Sequence, residues 1–305
     1  MPSVSIVLPT FNRTAFLERA VESAFAQSFS DWELVIADDG SAEDTRAWLR
    51  SIESPGVRIV WLEHCGNPAR VRNAAINASH GRYLAFLDSD DLWSRHKLER
   101  QLVAMERVGA RWSYTACDRI DEHGRPLAST FQTVSMPRPD EVVEALLNLS
   151  LAIPMPALVA EKSLVEELGG FDEAQRYGEF HDLCLRMAMR CEGIGLSEAL
   201  CSVRAHGEHY SADRIAAHGD WMRLYEKMCG LVPGDALREV CVRMRAQMAL
   251  RLANGQGSRG ERRAAWNTLR AGRVFAWRHA LLWPRAAAAL LRPAHAYTRR
   301  GGARP

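Results

Sequence analysis

Two runs decide the fold: Val4-Ser5-Ile6-Val7-Leu8-Pro9-Thr10-Phe11-Asn12, and Glu33-Leu34-Val35-Ile36-Ala37-Asp38-Asp39-Gly40-Ser41. Each is apolar and β-branched, then stops at a polar cluster, as a buried strand does. Between them Phe16, Leu17, Ala20, Val21, Ala24 and Phe25 recur with helical period, behind Asn12 or Thr14 as a cap. Strand, helix, strand is the order of a parallel crossover unit.

The alternation continues outward. The sequence predicts a helix around Asp44 to Ile52, a strand Val57 to Leu62, a helix around Pro68 to Ala78, and a strand Tyr83 to Leu87 that stops at Asp88-Ser89-Asp90-Asp91. Such a chain folds as a three-layer α/β/α structure with a mostly parallel sheet, and these sheets bind ligands beyond the carboxyl ends of their strands. Pro9 to Asn12, Asp38 to Ser41 and Asp88 to Asp91 are therefore expected on one rim. Beyond Asp91 the pattern loosens. A helix Ser94 to Val108 and a strand Arg111 to Ala116 are followed by the Gly169-Gly170-Phe171-Asp172 turn. This leads through Tyr177-Gly178 to a helix carrying Leu183, Leu185, Met187 and Ala188, and a helical region begins near His218.

With 305 residues, 47% hydrophobic and 25% charged, the chain has the composition of a globular protein with one large core. Its seven cysteines are odd in number and include no Cys-x-x-Cys pair, which argues against a disulfide framework or zinc site and for reduced thiols. The amino terminus enters Val4 to Leu8 with no leader-like run, so a cytoplasmic location is expected. The charge is uneven. From Gln256 to Pro305 eleven Arg face one acid, so +10 in that stretch against +2 overall leaves −8 for the preceding 255 residues. There Arg262, Arg263, Arg270, Arg273, Arg278, Arg285 and Arg292 alternate with Trp266, Leu269, Val274, Phe275, Trp277, Leu281, Leu282 and Trp283, without the ~20 apolar residues of a membrane span. Such a segment can lie at an anionic membrane surface, peripheral to the inner face, or pack on the preceding domain with a solvated basic face. No nucleic-acid recognition motif accompanies it.

Carboxylates crowded at a strand end repel unless a cation neutralises them. The alternating spacing puts Asp88 and Asp90 on one side, which suits a hard, oxygen-liganded ion such as Mg²⁺ or Mn²⁺. The same acids would also cap a helix starting near Ser94.

In order and spacing, four segments resemble the inverting glycosyltransferases of family two: Val4 to Arg13, Val35 to Ser41, Ala69-Arg70-Val71-Arg72-Asn73-Ala74-Ala75-Ile76, and Phe86-Leu87-Asp88-Ser89-Asp90-Asp91-Leu92-Trp93. A weaker fifth match, Gly169 to Glu173 with Glu179 and Asp182 to Arg186, carries the likeness to about residue 212. The resemblance implies a GT-A fold over residues 1–215, with a donor half 1–95 and an acceptor half 96–215, then a helical basic extension 216–305. It implies a nucleotide-diphospho-sugar donor, a UDP-sugar favoured, and a glycan or glycolipid acceptor. Pro9, Thr10, Phe11 and Asn12 would line the nucleoside pocket; Asp38 and Asp39 would bond the base or ribose; Arg72 would face the base or diphosphate. Asp88 with Ser89 would contact ribose or metal, Asp90 would be the main metal ligand, Asp91 would support either, and His206 could reach the diphosphate or metal. The family's usual catalytic Asp is absent: its position is Phe180. Glu179 is then expected as the base, with Asp182 as orienting group or alternative. A fold that keeps donor binding without catalysis is the alternative.

Overall fold

The computed structural model describes residues 2–127, 138–206, 214–274 and 281–291; Pro137, Phe275, Trp277, Arg278 and Arg292 lie outside them. The chain divides into two compact units, residues 1–209 and 210–305.

In the first unit the predicted alternation is present: β1 Val4–Thr10, α1 Thr14–Phe25, β2 Trp32–Asp38, α2 Glu43–Ile52, β3 Val57–Trp61, α3 Pro68–Ala78 and β4 Tyr83–Phe86. There follow β5 Leu92–Trp93, α4 Lys97–Val108, β6 Trp112–Ile120, α5 Val142–Leu147, β7 Val159–Glu161, α6 Lys162–Glu167, α7 Glu179–Arg190 and β8 Ile194–Arg204. One sheet collects the strands in the order β3-β2-β1-β4-β7-β6-β8-β5. β1, β2, β3 and β4 pair parallel, as do β6 and β8, but β7 runs antiparallel to both β4 and β6, and β5 antiparallel to β8. The sheet is mixed, with parallel pairings in the majority as expected and the antiparallel ones confined to β7 and β5.

The strand order positions the site. From β1 the chain steps outward to β2 and β3, then jumps back over them to β4. Right-handed crossovers therefore put α1 and α2 on one face and α3 on the other. The winding reverses between β1 and β4, where open α/β sheets leave a crevice. Pro9 widens that crevice. Leu87 N donates to Val7 O at 3.0 Å, so Val7, and two residues on Pro9, turn their backbone edge toward β4. Proline cannot donate from that edge, and the β1–β4 ladder ends at Val7 opposite Phe86 while β1 stays paired to β2 as far as Thr10.

Val4, Ile6, Val7, Leu8, Leu34, Val35, Ile36, Leu84 and Ala85 are completely buried and form the sheet's core. β-branched and long apolar chains fill both faces of such strands, which is why these runs read as continuous rather than alternating.

α7 packs on α5, where His181 Nε2 donates to Leu146 O at 3.0 Å. Burial pushes the imidazole down from 6.5 to about 4. A base whose folded pKa is depressed keeps its full contribution above the unfolded value and loses it as pH falls. The fold should therefore lose up to ~3 kcal/mol between the ordinary imidazole range and about pH 4, at 1.36 kcal/mol per unit. Denaturant unfolding of His181→Gln, which can still donate to Leu146, should lack that part of the acid slope.

The second unit is helical: α8 Arg214–Leu231, α9 Gly234–Ser258, α10 Arg262–Ala271 and α11 Trp283–Leu291. α8, α10 and α11 all pack on α9. Its core is lined by small residues, Ala246, Ala249, Ala253, Ala265, Ala286 and Ala289 among them, with Leu250, Leu269 and Val274. A Cβ on Gly272 would stand 2.1 Å from Ala249 Cβ, so only glycine permits that approach. No helix among the described residues is long and apolar enough to cross a membrane.

Candidate active site

The ends of β1 and β2 are tied into one rim. Asp39 N donates to Thr10 O at 2.9 Å, Asn12 N donates to Ser41 Oγ at 2.7 Å, and Ala42 N donates to Asn12 Oδ1 at 2.8 Å. Asn12 and Arg13 carry φ of 58° and 62°, two successive left-handed residues with side chains. That costs conformational energy and is usually kept where function needs it. Here it carries the chain from the rim into α1 and leaves Arg13 bonded to Asp90.

The two β2 acids separate in role. Asp38 is completely buried and spends both oxygens on Ser41 N, at 3.3 and 3.2 Å. Asp39 holds the loop after β3: Cys65 N donates to Oδ1 and Gly66 N to Oδ2, each at 2.9 Å, and His64 Nδ1 lies 3.0 Å from Oδ2. The imidazole thus fixed stacks on Phe11, ring centroids 4.2 Å apart and 21° from parallel, and Phe11 remains 42% exposed. Gly40 makes the approach possible. Its φ is +76°, and an added Cβ would sit 2.8 Å from His64 N. A flat, half-exposed aromatic platform beside a strand end can accept a base by stacking.

α3 delivers the centre of the site. Asn67 caps it, accepting from Ala69 N and Arg70 N at 3.1 and 3.4 Å, with Pro68 pre-set in its first turn. Arg72, only 6% exposed, then bridges the two halves of the sheet: Nη2 donates to Asp88 Oδ1 at 2.7 Å and Nη1 to Glu179 Oε1 at 2.8 Å. Asn73 clamps the facing turn, accepting from Phe171 N and donating to Phe171 O, each at 2.9 Å. Glu179 is the first residue of α7, behind Gly178 at φ 81°. Burial pushes the carboxyls of Asp88 and Glu179 above their ordinary range, and the Arg72 charge opposes it.

Asp90 stands at a second node. Its Oδ2 meets Arg13 Nη1 at 3.1 Å and His206 Nε2 at 2.9 Å. Asp91 turns inward, 4% exposed, and accepts from Arg204 N at 2.9 Å, while Arg204 Nε donates to Asp90 O at 2.8 Å. Burial, with Asp90 and Asp88 nearby, pushes Asp91 well above the usual carboxylate range. Asp182 is 1% exposed and held by Arg186 Nε at 2.7 Å; the same guanidinium donates to Leu168 O and Gly170 O at 2.8 Å.

The structure thus brings Asp88, Arg72 and Glu179 into one cluster, Asp90, Arg13 and His206 into another, and Phe11 with Asp39 into a third. Pro9, Thr10 and Asn12 form the rim between them, and Ser89 lies half-buried in the acidic turn. Asp38, Asp91 and Asp182 point into scaffold bonds. His64, Gly66 and Arg13 escaped the sequence reading. His64-Cys65-Gly66 follows β3, the third strand of the same parallel set, and that placement was the available signal.

The acidic turn also suits a cation. Asp88 and Asp90 offer hard oxygen donors with an imidazole at hand. Among the described residues no three such groups converge into a closed ligand set, and Arg72 and Arg13 already offset the charge. The residues fit an open site, in which one or two carboxylates share a hard ion with phosphate oxygens.

An acid-lined crevice at the switch point of an α/β sheet is the architecture of GT-A nucleotide-sugar transferases, and solved structures share the fold. TarS of S. aureus in complex with UDP-GlcNAc superposes with a TM-score of 0.70 at 17% identity, over 95% of this chain and 87% of that one. The mannosyltransferase PcManGT of Pyrobaculum calidifontis, in complex with GDP-Man and Mn²⁺, does so at 0.59 and 17%, over 95% and 81%. Residues 5–163 match the model of glycosyl transferase family 2, and the chain belongs to that family. It is similar to the putative teichuronic acid biosynthesis glycosyltransferase TuaG of Bacillus subtilis, 40% identical over 128 residues, 41% of this chain and 51% of TuaG. It is also similar to the Escherichia coli UDP-Glc:alpha-D-GlcNAc-diphosphoundecaprenol beta-1,3-glucosyltransferase WfgD, 32% over 111 residues, 36% of this chain and 44% of WfgD. The chain spans 29%, 51% and 64% of the length of three curated relatives.

Proposed function

We propose that this chain transfers a glycosyl group, with inversion, from a nucleotide-diphosphate sugar to a hydroxyl of a glycan, glycolipid or polysaccharide precursor, a UDP-sugar being the favoured donor. One observation carries the reading: a single buried guanidinium, Arg72, joins Asp88 of the acidic turn to Glu179 at the start of α7. The base of the nucleotide stacks against Phe11 beside His64, and Asp39 and the rim at Thr10 and Asn12 hold the nucleoside. Asp88 and Ser89 face the ribose. Asp90, with Asp88 and His206 near it, would hold Mn²⁺ or Mg²⁺, which when bound neutralises the charge of the leaving diphosphate, while Asp91 braces the turn through Arg204.

Glu179, made more basic by burial, accepts the acceptor's hydroxyl proton as that oxygen bonds to the anomeric carbon from the face opposite the diphosphate. The anomeric carbon–oxygen bond breaks and its electron pair leaves with the diphosphate. Asp182 positions α7 through Arg186 rather than taking the proton. Residues 1–95 serve the donor, 96–215 the acceptor, and 216–305 place a basic face against an anionic membrane surface on the cytoplasmic side. UDP-GlcNAc in TarS, Mn²⁺ in PcManGT and the diphosphoundecaprenol named for WfgD support the donor, ion and acceptor classes.

The test is a melting screen of nucleotide-sugars with and without Mn²⁺, coupled to release of nucleoside diphosphate in the presence of acceptor. A donor at 100 times its Kd should add about 2.7 kcal/mol. A donor that stabilises without any turnover across acceptors would point to a binding protein, consistent with Phe180 in place of the usual acid. No stabilisation by any donor would sink the reading.

A further inference from the structure

A cleft in the C-terminal unit has chemistry that glycosyl transfer does not use. Gln247, Leu250, Arg251 and Asn254, one face of α9 at helical spacing, form one wall, and Leu282 with Arg285 of α11 the other. Its volume is about 270 Å³. Leu250, 6% exposed, belongs to the unit's core, and Leu282 packs against that core. The lining therefore combines an apolar floor with two guanidiniums and two side-chain amides.

No acid stands among the lining residues. Arg223, Arg238 and Arg245, elsewhere on α8 and α9, face Asp220, Asp235 and Glu226. Arg251 by contrast contacts the sulfur of Met248 at 4.0 Å, and neither it nor Arg285 pairs with a carboxylate among the described residues. Two guanidiniums without counter-charge, flanked by amide donors, match the oxygens of a phosphate, which accepts several hydrogen bonds at once. The apolar half of the ligand is also indicated. Leu281, 93% exposed, and Trp283, 37% exposed, are the chain neighbours of Leu282, and side chains of this kind sit where water meets acyl chains.

We propose that this cleft takes the phosphate headgroup of an anionic membrane lipid, with Arg251 and Arg285 on the phosphate, Leu250 and Leu282 along its first carbons, and Leu281 and Trp283 in the interface. The proposal rests on the basic unit being the membrane-facing part of the chain, and it replaces a diffuse attraction by one built site.

The test is co-sedimentation of the full chain with phosphatidylcholine vesicles and with vesicles that also contain phosphatidylglycerol. The wild type should bind only the second kind. Arg251→Gln with Arg285→Gln should weaken partition by several-fold more than the about 30-fold that any two arginines lose through diffuse attraction, ~2 kcal/mol at about 1 kcal/mol each. Arg262→Gln with Arg263→Gln, an equal loss of charge on exposed positions of α10, should weaken it several-fold less. Equal losses in the two pairs would overturn the cleft while leaving membrane attraction standing. No sedimentation of the wild type with either vesicle would remove the membrane reading itself. Stabilisation by inorganic phosphate that depends on Arg251, without vesicle binding, would overturn the lipid and assign a soluble phosphate instead.

Discussion

Glu179→Gln should lower the transfer rate by about 10²- to 10⁴-fold, the range general-base catalysis supplies, while donor-induced stabilisation stays close to wild type. The glutamine keeps the shape and still offers an oxygen to Arg72 Nη1, so the bridge to Asp88 survives; what it loses is the capacity to take a proton. Burial has pushed the Glu179 carboxyl upward, which brings its basicity toward the working pH, and the activity of the wild type should fall as acid protonates it. Turnover with a stabilising donor, measured beside melting of the same samples, separates the two effects. Activity near wild type would move the base elsewhere. Asp182 is a poor substitute, because its carboxylate is enclosed with Arg186 at 1% exposure.

Arg72→Met is the second large effect. The substitution removes the cation between two carboxyls whose side chains are 27% and 13% exposed, and a buried pair broken on one side costs about 3–5 kcal/mol. Asp88 and Glu179, already raised by burial, would be raised further without Arg72. An acid whose folded pKa lies above its unfolded value loses stability as pH climbs from the unfolded value through the folded one. The deficit of Arg72→Met should therefore be greatest at neutral pH and shrink as the buffer is made mildly acid. Urea unfolding across that window checks it. Adding Glu179→Gln to Arg72→Met should recover part of the loss, a coupling expected only for side chains that share one contact. A pH-independent deficit, or simple additivity, would assign Arg72 a packing role.

The first half of the fold was legible because each strand there is a continuous apolar run ended by a polar cluster. The predicted strand Val57 to Leu62 is β3 at Val57–Trp61, and the predicted helix Pro68 to Ala78 is α3 as found. The second half hid itself for physical reasons. β7 has three residues and β5 two, too short for any period to show. β8 runs Ile194–Arg204 with its first six residues half-buried or exposed, so neither an apolar run nor a clean alternation marks it. β7 also turns the sheet antiparallel, which a pattern of apolar runs does not encode. Of the site, the acids and Arg72 were visible as motif positions. The use of their oxygens was not: Asp38 and Asp39 look alike in sequence, yet one closes its own turn and the other holds His64 and Gly66.

Pro9 carries a consequence for specificity of folding. Two neighbouring parallel strands tend to keep zipping until something stops them, and a zipped β1 and β4 would bring the acidic turn against Thr10 and close the mouth of the crevice. The pyrrolidine ring acts as a doorstop, holding the gap ajar in every molecule whether or not the crevice is filled. A residue with an amide hydrogen at that position would let the seam creep forward, trading an open cavity for a slightly sturdier sheet.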